Sequence, residues 1–313
     1  MNYTGPGITT EGGGGIGILA LANNGGGPGI NSGAVTISSS GPITTSGVEA
    51  LGIVADSGTI YNATHSRPKL GPGGNVTVTS SGAITTQGAE AHGIWAASTT
   101  GTVQVNATHS VSTTGQFSTG INAISTGVPV TGAPGANAAV NVAQGVPVLG
   151  GWQDTGLGSS TLFALPAAGV ILGSSGGIAT LTNNGSISAL SDRAVASSLL
   201  FPSNNTGIIN NGTITGFVQL VGCNNSILNN GAFNLRHFAD TTGATDASGN
   251  GVRDTLRVAI ADLGGGQNNR FTNTDSWRSP QCQAPPSWTT RGSTSRSTTP
   301  TTQWRSAGRC RAT

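Results

Sequence analysis

The chain is short of charge and of aromatic residues. Only 8% of its 313 residues are charged, whereas soluble domains average about a quarter, and aromatic residues make up 4%. Few Lys, Glu and Leu residues and as many as 51 glycines argue against a helical protein, because each interior glycine costs a helix about 1 kcal/mol. The low charge also argues against an extensively disordered chain. The 35% of apolar residues can instead form a core.

Other scarce features exclude further classes of protein. Cys223 is the one cysteine of the first 275 residues, so we expect no disulfide framework there. The longest apolar run, Thr161–Gly173, is too short for a membrane helix and contains Pro166. The first ten residues lack the basic and apolar regions of a secretory signal. We find no phosphate-loop motif and expect no cofactor.

The net charge of +2 is the sum of two unlike regions. Residues 1–275 carry seven basic and eleven acidic residues, a net of −4. Residues 276–313 carry six arginines and no acidic residue, a net of +6, together with three of the five tryptophans. We therefore predict a folded region over 1–275, with a polar acidic loop or insert at 240–262, and a disordered Arg/Ser/Thr/Pro-rich tail over 276–313.

The folded region is built from repeats. Residues 33–58 (GAVTISSSGPITTSGVEALGIVADSG) and 74–98 (GNVTVTSSGAITTQGAEAHGIWAAS) align without gaps at an offset of 41 residues. The alignment matches Val35 with Val76, Ile43 with Ile84, and so on through the unit. Degenerate copies occur at residues 7–20 and 113–121. Self-similarity at a fixed period is typical of solenoid proteins.

Later repeats share an N-N-G-x-apolar core. The three copies begin at Asn183, Asn210 and Asn229, and their glycines lie 27 and 19 residues apart. Asparagine at equivalent turns tolerates left-handed backbone angles and can stack into ladders. We therefore expect asparagine ladders along this part of the fold.

These patterns predict an all-β fold, a right-handed parallel β-helix (β-solenoid). Each unit alternates short strand-like runs such as Val76-Thr77-Val78 with turn clusters such as Ser80-Ser81-Gly82. Such short strands cannot each bury a face alone, but stacked turns of a coil can do so. We expect about 20 residues per coil, so that the 41-residue unit spans two coils. A β-sandwich of hairpins is the competing architecture, although it favours longer strands and larger aromatic residues.

The repeats resemble the passenger regions of Gram-negative autotransporters, the proteins of type V secretion. The resemblance is carried by GPITTSGVEALGIVADSG, by GAITTQGAEAHGIWAAS and by the N-N-G-x-I units, and it covers residues 1–275. It implies a chain that is exported through an outer-membrane β-barrel and located at the cell surface or outside the cell. Neither a signal nor a barrel pattern is recognisable in the sequence, so the resemblance is to an internal fragment of such a protein.

The leading functional hypothesis is a non-enzymatic scaffold or adhesin-like passenger fragment. A carbohydrate or protein receptor on a host or other surface is its expected partner, and self-association through exposed coil ends is also expected. We expect no nucleic-acid partner, because the six arginines of the tail are scattered singly. We interpret the tail as a solvated segment that follows a reading-frame change near residue 275, with a basic binding arm as the alternative.

An enzyme acting on polysaccharides is the main alternative. Its site would lie in a long loop such as Asn122–Leu162 or in the acidic segment Asp240–Asp262, but no catalytic residue can be assigned. Glu49 and Glu90 occupy matching repeat positions, and we interpret them as stacked surface carboxylates about two coils apart. A minor alternative is an ice-binding solenoid, suggested by the hydroxyl residues Thr77, Thr79, Thr85 and Thr86.

One segment resembles a calcium-binding loop. Asp246, Ser248, Asn250 and Asp254 supply oxygen atoms at positions 1, 3, 5 and 9, with a glycine at position 6. Position 12, where such loops carry a bidentate carboxylate, is Arg257. We therefore favour a polar loop over a calcium site. The four histidines (His65, His92, His109 and His237) are dispersed, and His65 and His109 follow the repeat, which favours surface loops over a metal centre.

Overall fold

The protein consists of stacked parallel strands. The structure is a computed structural model that describes residues 1–22, 31–58, 71–127, 132–153, 167–198, 203, 205–235 and 261–274, and the backbone of 277–278 and 304–305. No helix occurs among the described residues. Ten strands form one sheet and sixteen form the other, and the second sheet bends at one shared strand into two arms. We call the first sheet face A, and the two arms faces B and C.

Face A contains the strand that opens each layer of the fold. All of its strands are parallel except the last, which is antiparallel to its neighbour. The strands are β1 (Asn2–Tyr3), β4 (Val35–Ser39), β7 (Val76–Ser80), β10 (Val103–Ala107), β13 (Ala138–Val142), β16 (Ala179–Asn183), β19 (Thr206–Asn210), β21 (Ser226–Asn229), β24 (Arg270–Asn273) and β26 (Trp304–Arg305).

Faces B and C contain the second and third strands of each layer, and β20 (Thr213–Gln219) belongs to both. Face B also has β2 (Ile8–Glu11), β5 (Ile43–Ser46), β8 (Ile84–Thr86), β11 (Val111–Thr113), β14 (Pro147–Gly150), β17 (Ser186–Ala189), β22 (Ala232–Leu235) and β25 (Trp277–Arg278). Face C also has β3 (Ile18–Ala22), β6 (Ile53–Ser57), β9 (Ile94–Ser98), β12 (Thr119–Ser125), β15 (Ala168–Ser174), β18 (Arg193–Ser197) and β23 (Ala261–Asp262).

Each layer is one passage of the chain through faces A, B and C. Successive layers are in register, apart from a shift between Arg193 and Val195 where β18 pairs with β20. Val35 pairs with Val76, Ile43 with Ile84, and Ile53 with Ile94, so one alignment holds on all three faces. The degenerate copies obey it too, because Ile8 pairs with Ile43 and Ile121 with Ile94. The alignment made from sequence is confirmed, and the arrangement is consistent with a β-helix or solenoid.

The predicted coil length was wrong. Since Val35 pairs directly with Val76, the 41-residue unit is one layer and not two. Layer length also varies: Asn210 and Asn229 are neighbours 19 residues apart, whereas Asn229 and Asn273 are neighbours 44 residues apart. A long segment between strands adds little closure entropy for each further residue. Strand register therefore persists while the connecting segments change in length, and a fixed count of residues per coil does not exist.

The main core lies on the inward side of the three faces. Strand β7 shows the pattern, with Val76 and Val78 fully buried and Thr77 and Thr79 partly exposed, as the alternation of side chains along a strand requires. Valine, isoleucine and alanine supply most of this core from Ile18 to Phe271. Their branched side chains suit the pleated surface of a strand.

Face C is buried on both of its sides. From β6 to β18 every position of its strands is buried. Inward residues such as Ile53, Ile94 and Ile121 belong to the main core. A second buried cluster is formed by Leu51, Val54, Trp95, Ala97, Ala168, Ile171 and Ala196. Continuous apolar runs are typical of strands covered on both sides.

A column of serines links the end of each layer to its own beginning. Ser57, Ser98, Ser125 and Ser174 are in register at the end of face C. The Ser98 hydroxyl donates to the carbonyl oxygen of Gly74 (2.8 Å), two residues before β7 of the same layer. It also accepts from the Gly101 amide (2.9 Å), which opens the next layer. Ser57 and Ser125 repeat both contacts.

The turn between faces B and C repeats a left-handed residue. Gly14, Glu49, Glu90 and Phe117 all have φ between 54° and 71°, and each lies four residues before the first isoleucine on face C. Glycines stack beside them: a Cβ on Gly88 would overlap the Gly47 carbonyl oxygen, and a Cβ on Gly115 would overlap that of Gly88. The close approach of successive turns therefore requires glycine in this column.

The predicted asparagine ladders are confirmed. In the buried ladder, Asn183 Nδ2 donates to Asn210 Oδ1 (2.7 Å) and Asn210 Nδ2 donates to Asn229 Oδ1 (2.6 Å). Asn229 Nδ2 continues to Asn273 Oδ1 (2.6 Å). The second asparagine of each N-N-G unit forms a parallel, more exposed ladder through Asn184, Asn211 and Asn230. Both amides of the motif therefore connect layers.

Two short strands lie within the predicted tail, 276–313. Strand β25 pairs in parallel with β22, and β26 pairs antiparallel with β24. The other residues of the tail lie outside the described part of the chain, as do 240–260 of the predicted acidic insert. The disorder expected for the tail stays a prediction.

Candidate functional site

From β4 to β16, the outward side of face A is a neutral polar strip. It is formed by two columns of side chains that alternate with the buried positions of the same strands. From the layer of β4 to that of β16, the columns contain Thr36, Thr77, Gln104, Ala139 and Thr180, and Ser38, Thr79, Asn106, Asn141 and Thr182. None of these residues carries a charge, and adjacent strands lie about 4.8 Å apart.

Amide side chains connect the middle of this strip. Asn106 Oδ1 accepts from Gln104 Nε2 (3.1 Å) and from Asn141 Nδ2 (3.0 Å), while Asn106 Nδ2 approaches Thr79 Oγ1 (3.5 Å). The strip therefore presents amide and hydroxyl groups held in fixed positions. Sequence reasoning missed Gln104, Asn106 and Asn141, although their alternation with buried Val and Ala residues was a usable signal.

A shallow depression of about 340 Å³ lies on face B. Leu149 and Leu190 give it apolar surface, and the hydroxyls of Ser186, Ser188 and Thr215 line it together with Asp192. Asp192 is only 5% exposed and adopts a left-handed conformation (φ 58°). The depression could hold a small polar group, but its one carboxylate does not form the acid–base pair that glycoside hydrolysis uses.

Arg193, which follows Asp192 in the sequence, is held by contacts within the fold. Arg193 is 8% exposed, and its Nη1 donates to Gln153 Oε1 (3.0 Å) and to the Ala167 carbonyl oxygen (3.4 Å). Its guanidinium lies 5.2 Å from the centre of the Phe217 ring. These contacts join the layers of β14, β18 and β20, and they hold the guanidinium inside the fold.

Glu49 and Glu90 are closer than the sequence suggested. They lie in adjacent layers, since the Glu49 amide donates to the carbonyl oxygen of Ala89, the residue before Glu90 (2.8 Å). The Glu90 amide in turn donates to the Gln116 carbonyl oxygen of the following layer (2.7 Å). The expected separation of two coils was wrong for the same reason as the coil length. Glu49 is partly exposed and Glu90 is 8% exposed, so only Glu49 offers substantial carboxylate surface.

The described histidines do not converge. His92 is fully buried, its Nδ1 accepts from the Thr119 amide (3.0 Å), and its ring lies 5.6 Å from that of Trp95. His109 is exposed in a turn beside Ser110, as its place in the repeat predicts. Within the described ranges no three His, Cys, Asp or Glu side chains are placed to hold a metal ion. His65 and His237 lie outside those ranges.

Several predicted features could not be placed, and one was wrong. The calcium candidates Asp246, Ser248, Asn250 and Asp254 lie outside the described residues. The segment Asn122–Leu162 is not one long loop, because it contains β13 and β14 in register with their neighbours. The two strands were not recognised in the sequence because they are only five and four residues long.

The threonine array is only partly on the surface. Thr77, Thr79 and Thr85 are outward and partly exposed, but Thr86 is fully buried and its hydroxyl donates to the Ala91 carbonyl oxygen (2.5 Å). Above Thr77 and Thr79 the columns change to Gln104 and Asn106. The neighbouring layer on the other side has Thr36 and Ser38, so the threonine pair of β7 is not repeated in either adjacent layer, as an ice-binding array would need.

No protein-family model, no curated protein and no solved structure matches this chain. Among the described residues, no helix is long and apolar enough to cross a membrane.

Proposed function

We propose that the chain is a non-enzymatic scaffold: a right-handed, closed parallel β-helix that acts as an adhesin-like passenger fragment of a Gram-negative autotransporter at the cell surface. The observation that carries the proposal is the unbroken register of layers beneath the neutral strip of face A. Because each layer contacts only its neighbours, stability accumulates along the stack, and the outward side chains are free to serve as a contact surface.

The serine column supports closure of each layer. Ser98 joins the end of face C to the start of face A within one layer, and the hydroxyl also reaches the next layer. A closed coil would bring these two chain segments together in every turn. Small-angle scattering of the purified protein should therefore give the cross-section of a rod, and a profile of two separated sheets would contradict closure.

The strip on face A supports a role in adhesion. Uncharged amides and hydroxyls in fixed positions suit hydrogen bonding to a carbohydrate or to polar groups of a protein receptor, because a rigid surface loses little entropy on binding. We propose Gln104, Asn106 and Asn141 as the centre of the contact surface. Binding to glycan arrays and to whole cells should fall when Asn106 and Asn141 are replaced by alanine.

A matched variant separates adhesion from folding. Thr44→Ala/Thr85→Ala changes two outward residues on adjacent strands of face B and should leave binding unchanged. Equal binding by the Asn106→Ala/Asn141→Ala variant and the parent would refute the contact surface. Release of reducing ends or unsaturated products from a panel of polysaccharides would refute the non-enzymatic assignment. Export is tested separately, by joining the chain to an autotransporter signal and barrel and measuring its accessibility to protease on intact cells.

A further inference from the structure

Three Asn-Gly steps lie above one another in the turn that follows face A. They are Asn184-Gly185, Asn211-Gly212 and Asn230-Gly231. The turns stack closely, since a Cβ on Gly212 would overlap the Gly185 carbonyl oxygen and a Cβ on Gly231 would overlap that of Gly212. The three asparagine side chains form the exposed ladder, with Asn211 Nδ2 donating to Asn184 Oδ1 and Asn230 Nδ2 to Asn211 Oδ1 (both 2.9 Å).

We propose that Asn230 is a site of spontaneous deamidation and that the other two steps are protected by the fold. In this reaction the Gly231 backbone nitrogen forms a bond to Cγ of Asn230. The Cγ–Nδ2 bond breaks, and ammonia leaves with the proton lost by the backbone nitrogen. Water then opens the cyclic imide at either carbonyl, which gives aspartate or isoaspartate. Glycine favours the first step because it has no Cβ to obstruct the approach.

The hydrogen bonds of the three glycine amides distinguish the steps. The Gly185 amide donates to Asn183 Oδ1 (3.1 Å), and the Gly212 amide donates to the Asn183 carbonyl oxygen (3.0 Å). The Gly231 amide makes no hydrogen bond within the described part of the chain. An amide that is already bonded must first break that bond before it can attack. The nitrogen of Gly231 is therefore the most available of three nucleophiles that are chemically alike.

Deamidation at Asn230 would remove a donor from the ladder. Asn230 Nδ2 donates to Asn211 Oδ1, and Asn230 Oδ1 accepts from the Thr274 hydroxyl (2.8 Å). A carboxylate at this position would place an oxygen atom opposite Asn211 Oδ1, and neither atom could donate a hydrogen bond. It would also add a negative charge to an uncharged column. The hydrogen bond between Asn230 and Asn211 joins the layer of β21 to that of β19. The reaction would thus loosen the contact between the layers of β19 and β21 as the protein ages.

The proposal is tested by following all three steps in the folded protein. The intact chain is kept in mildly alkaline buffer at physiological temperature, sampled over weeks and mapped by mass spectrometry with separation of aspartate and isoaspartate peptides. We expect Asn230 to react about tenfold faster than Asn184 and Asn211, as one additional hydrogen bond would give. In urea the three rates should converge. The steps Asn24-Gly25 and Asn250-Gly251 are mapped separately.

Two outcomes would overturn the proposal. One is equal or slower reaction at Asn230 in the folded protein, and the other is a difference among the three sites that persists in urea, since local sequence and not the fold would then decide the rates. The consequence is tested independently of the rate with Asn230→Asp, which should lower the melting temperature. Asn230→Ser keeps a hydroxyl donor and should lower it less; identical melting of both variants and the parent would refute the loosening.

Discussion

At the scale of single residues, the glycine columns set the closest approach of one turn to the next. A methyl group on Gly88 would overlap the Gly47 carbonyl oxygen, whereas a methyl group on Gly33 would meet no atom within 4 Å. We expect Gly88→Ala to lower the free energy of unfolding by at least ~2 kcal/mol, because the backbone of the neighbouring layer must move. Gly33→Ala should change it by less than ~0.5 kcal/mol. Urea denaturation followed by circular dichroism measures both.

The serine column makes a second prediction at this scale. Ser98 is fully buried and both donates and accepts a hydrogen bond. Ser98→Ala should cost about 1–3 kcal/mol, because it leaves the Gly74 carbonyl and the Gly101 amide without this partner. Ser38 is exposed on face A, and Ser38→Ala is the control with almost no cost. Equal thermal melting of the two variants would show that the column does not hold the layers.

Individual residues could be predicted from sequence only where the repeat fixed their neighbours. The asparagine ladders followed from the N-N-G units, because identical residues at identical positions must stack. The serine column was not predicted. Its serines lie at the ends of face C strands, and their backbone partners at the start of face A can be identified only when the number of residues per layer is known. Thr86 was mistaken for a surface residue because Thr85 and Thr86 are adjacent in sequence but lie on opposite sides of a strand.

At the scale of the strand, faces A and C respond differently to substitution of outward residues. Trp95 is outward on face C yet belongs to the second apolar cluster, whereas Thr77 is outward and partly exposed on face A. Trp95→Ala should lower the free energy of unfolding by about 3–5 kcal/mol. Thr77→Ala should lower it by less than ~0.5 kcal/mol. Similar losses for the two variants, measured by urea denaturation, would contradict burial of face C on both sides.

The strands themselves were partly predictable. Alternation of Val and Thr residues located β7, and the alignment located its partners in the neighbouring layers. Their grouping into three faces was not predictable, because side-chain alternation indicates an inward and an outward side but not the direction in which the next strand turns. The burial of face C on both sides was concealed by its small residues, since runs such as Ile94-Trp95-Ala96-Ala97 are also compatible with a half-exposed strand.

For the whole molecule, the first layer offers an edge for association. Strands β1, β2 and β3 have a strand partner on one side only among the described residues. Leu19 and Leu21 of β3 are 45% and 49% exposed. Unpaired edges with apolar side chains favour pairing with another chain. We expect the protein to form oligomers whose size increases with concentration in sedimentation velocity experiments.

Charge at this edge should reduce the association. Leu19→Lys/Leu21→Lys places two cations on the outward side of β3 and should shift the sedimentation profile towards the monomer without altering thermal melting. Thr180→Lys/Thr182→Lys, with the same change in charge on β16 of face A and away from the edge, is the matched control. A parent protein that remains monomeric at all concentrations would contradict the prediction.

The candidate contact surface was less predictable than the fold. The sequence pointed to acids, histidines and a calcium-like loop, because such residues carry chemistry in most functional sites. The described acids and histidines are instead dispersed, and no three of them are placed to hold a metal ion. The strip on face A consists of residues that are ordinary in isolation, and only the register brings Asn106 beside Asn141. A surface of this kind becomes visible only when the stacking of layers is known.

Because the layers vary in residue number, the length of the stack does not depend on the number of residues in each layer. A layer of 19 residues and one of 44 residues both advance the stack by one strand spacing, about 4.8 Å. Adding residues between two strands therefore thickens the molecule at one height and leaves the distance between its ends unchanged. Only the duplication of a whole layer would lengthen the stack. The length of the stack and the size of the segments between its strands can therefore change independently of each other.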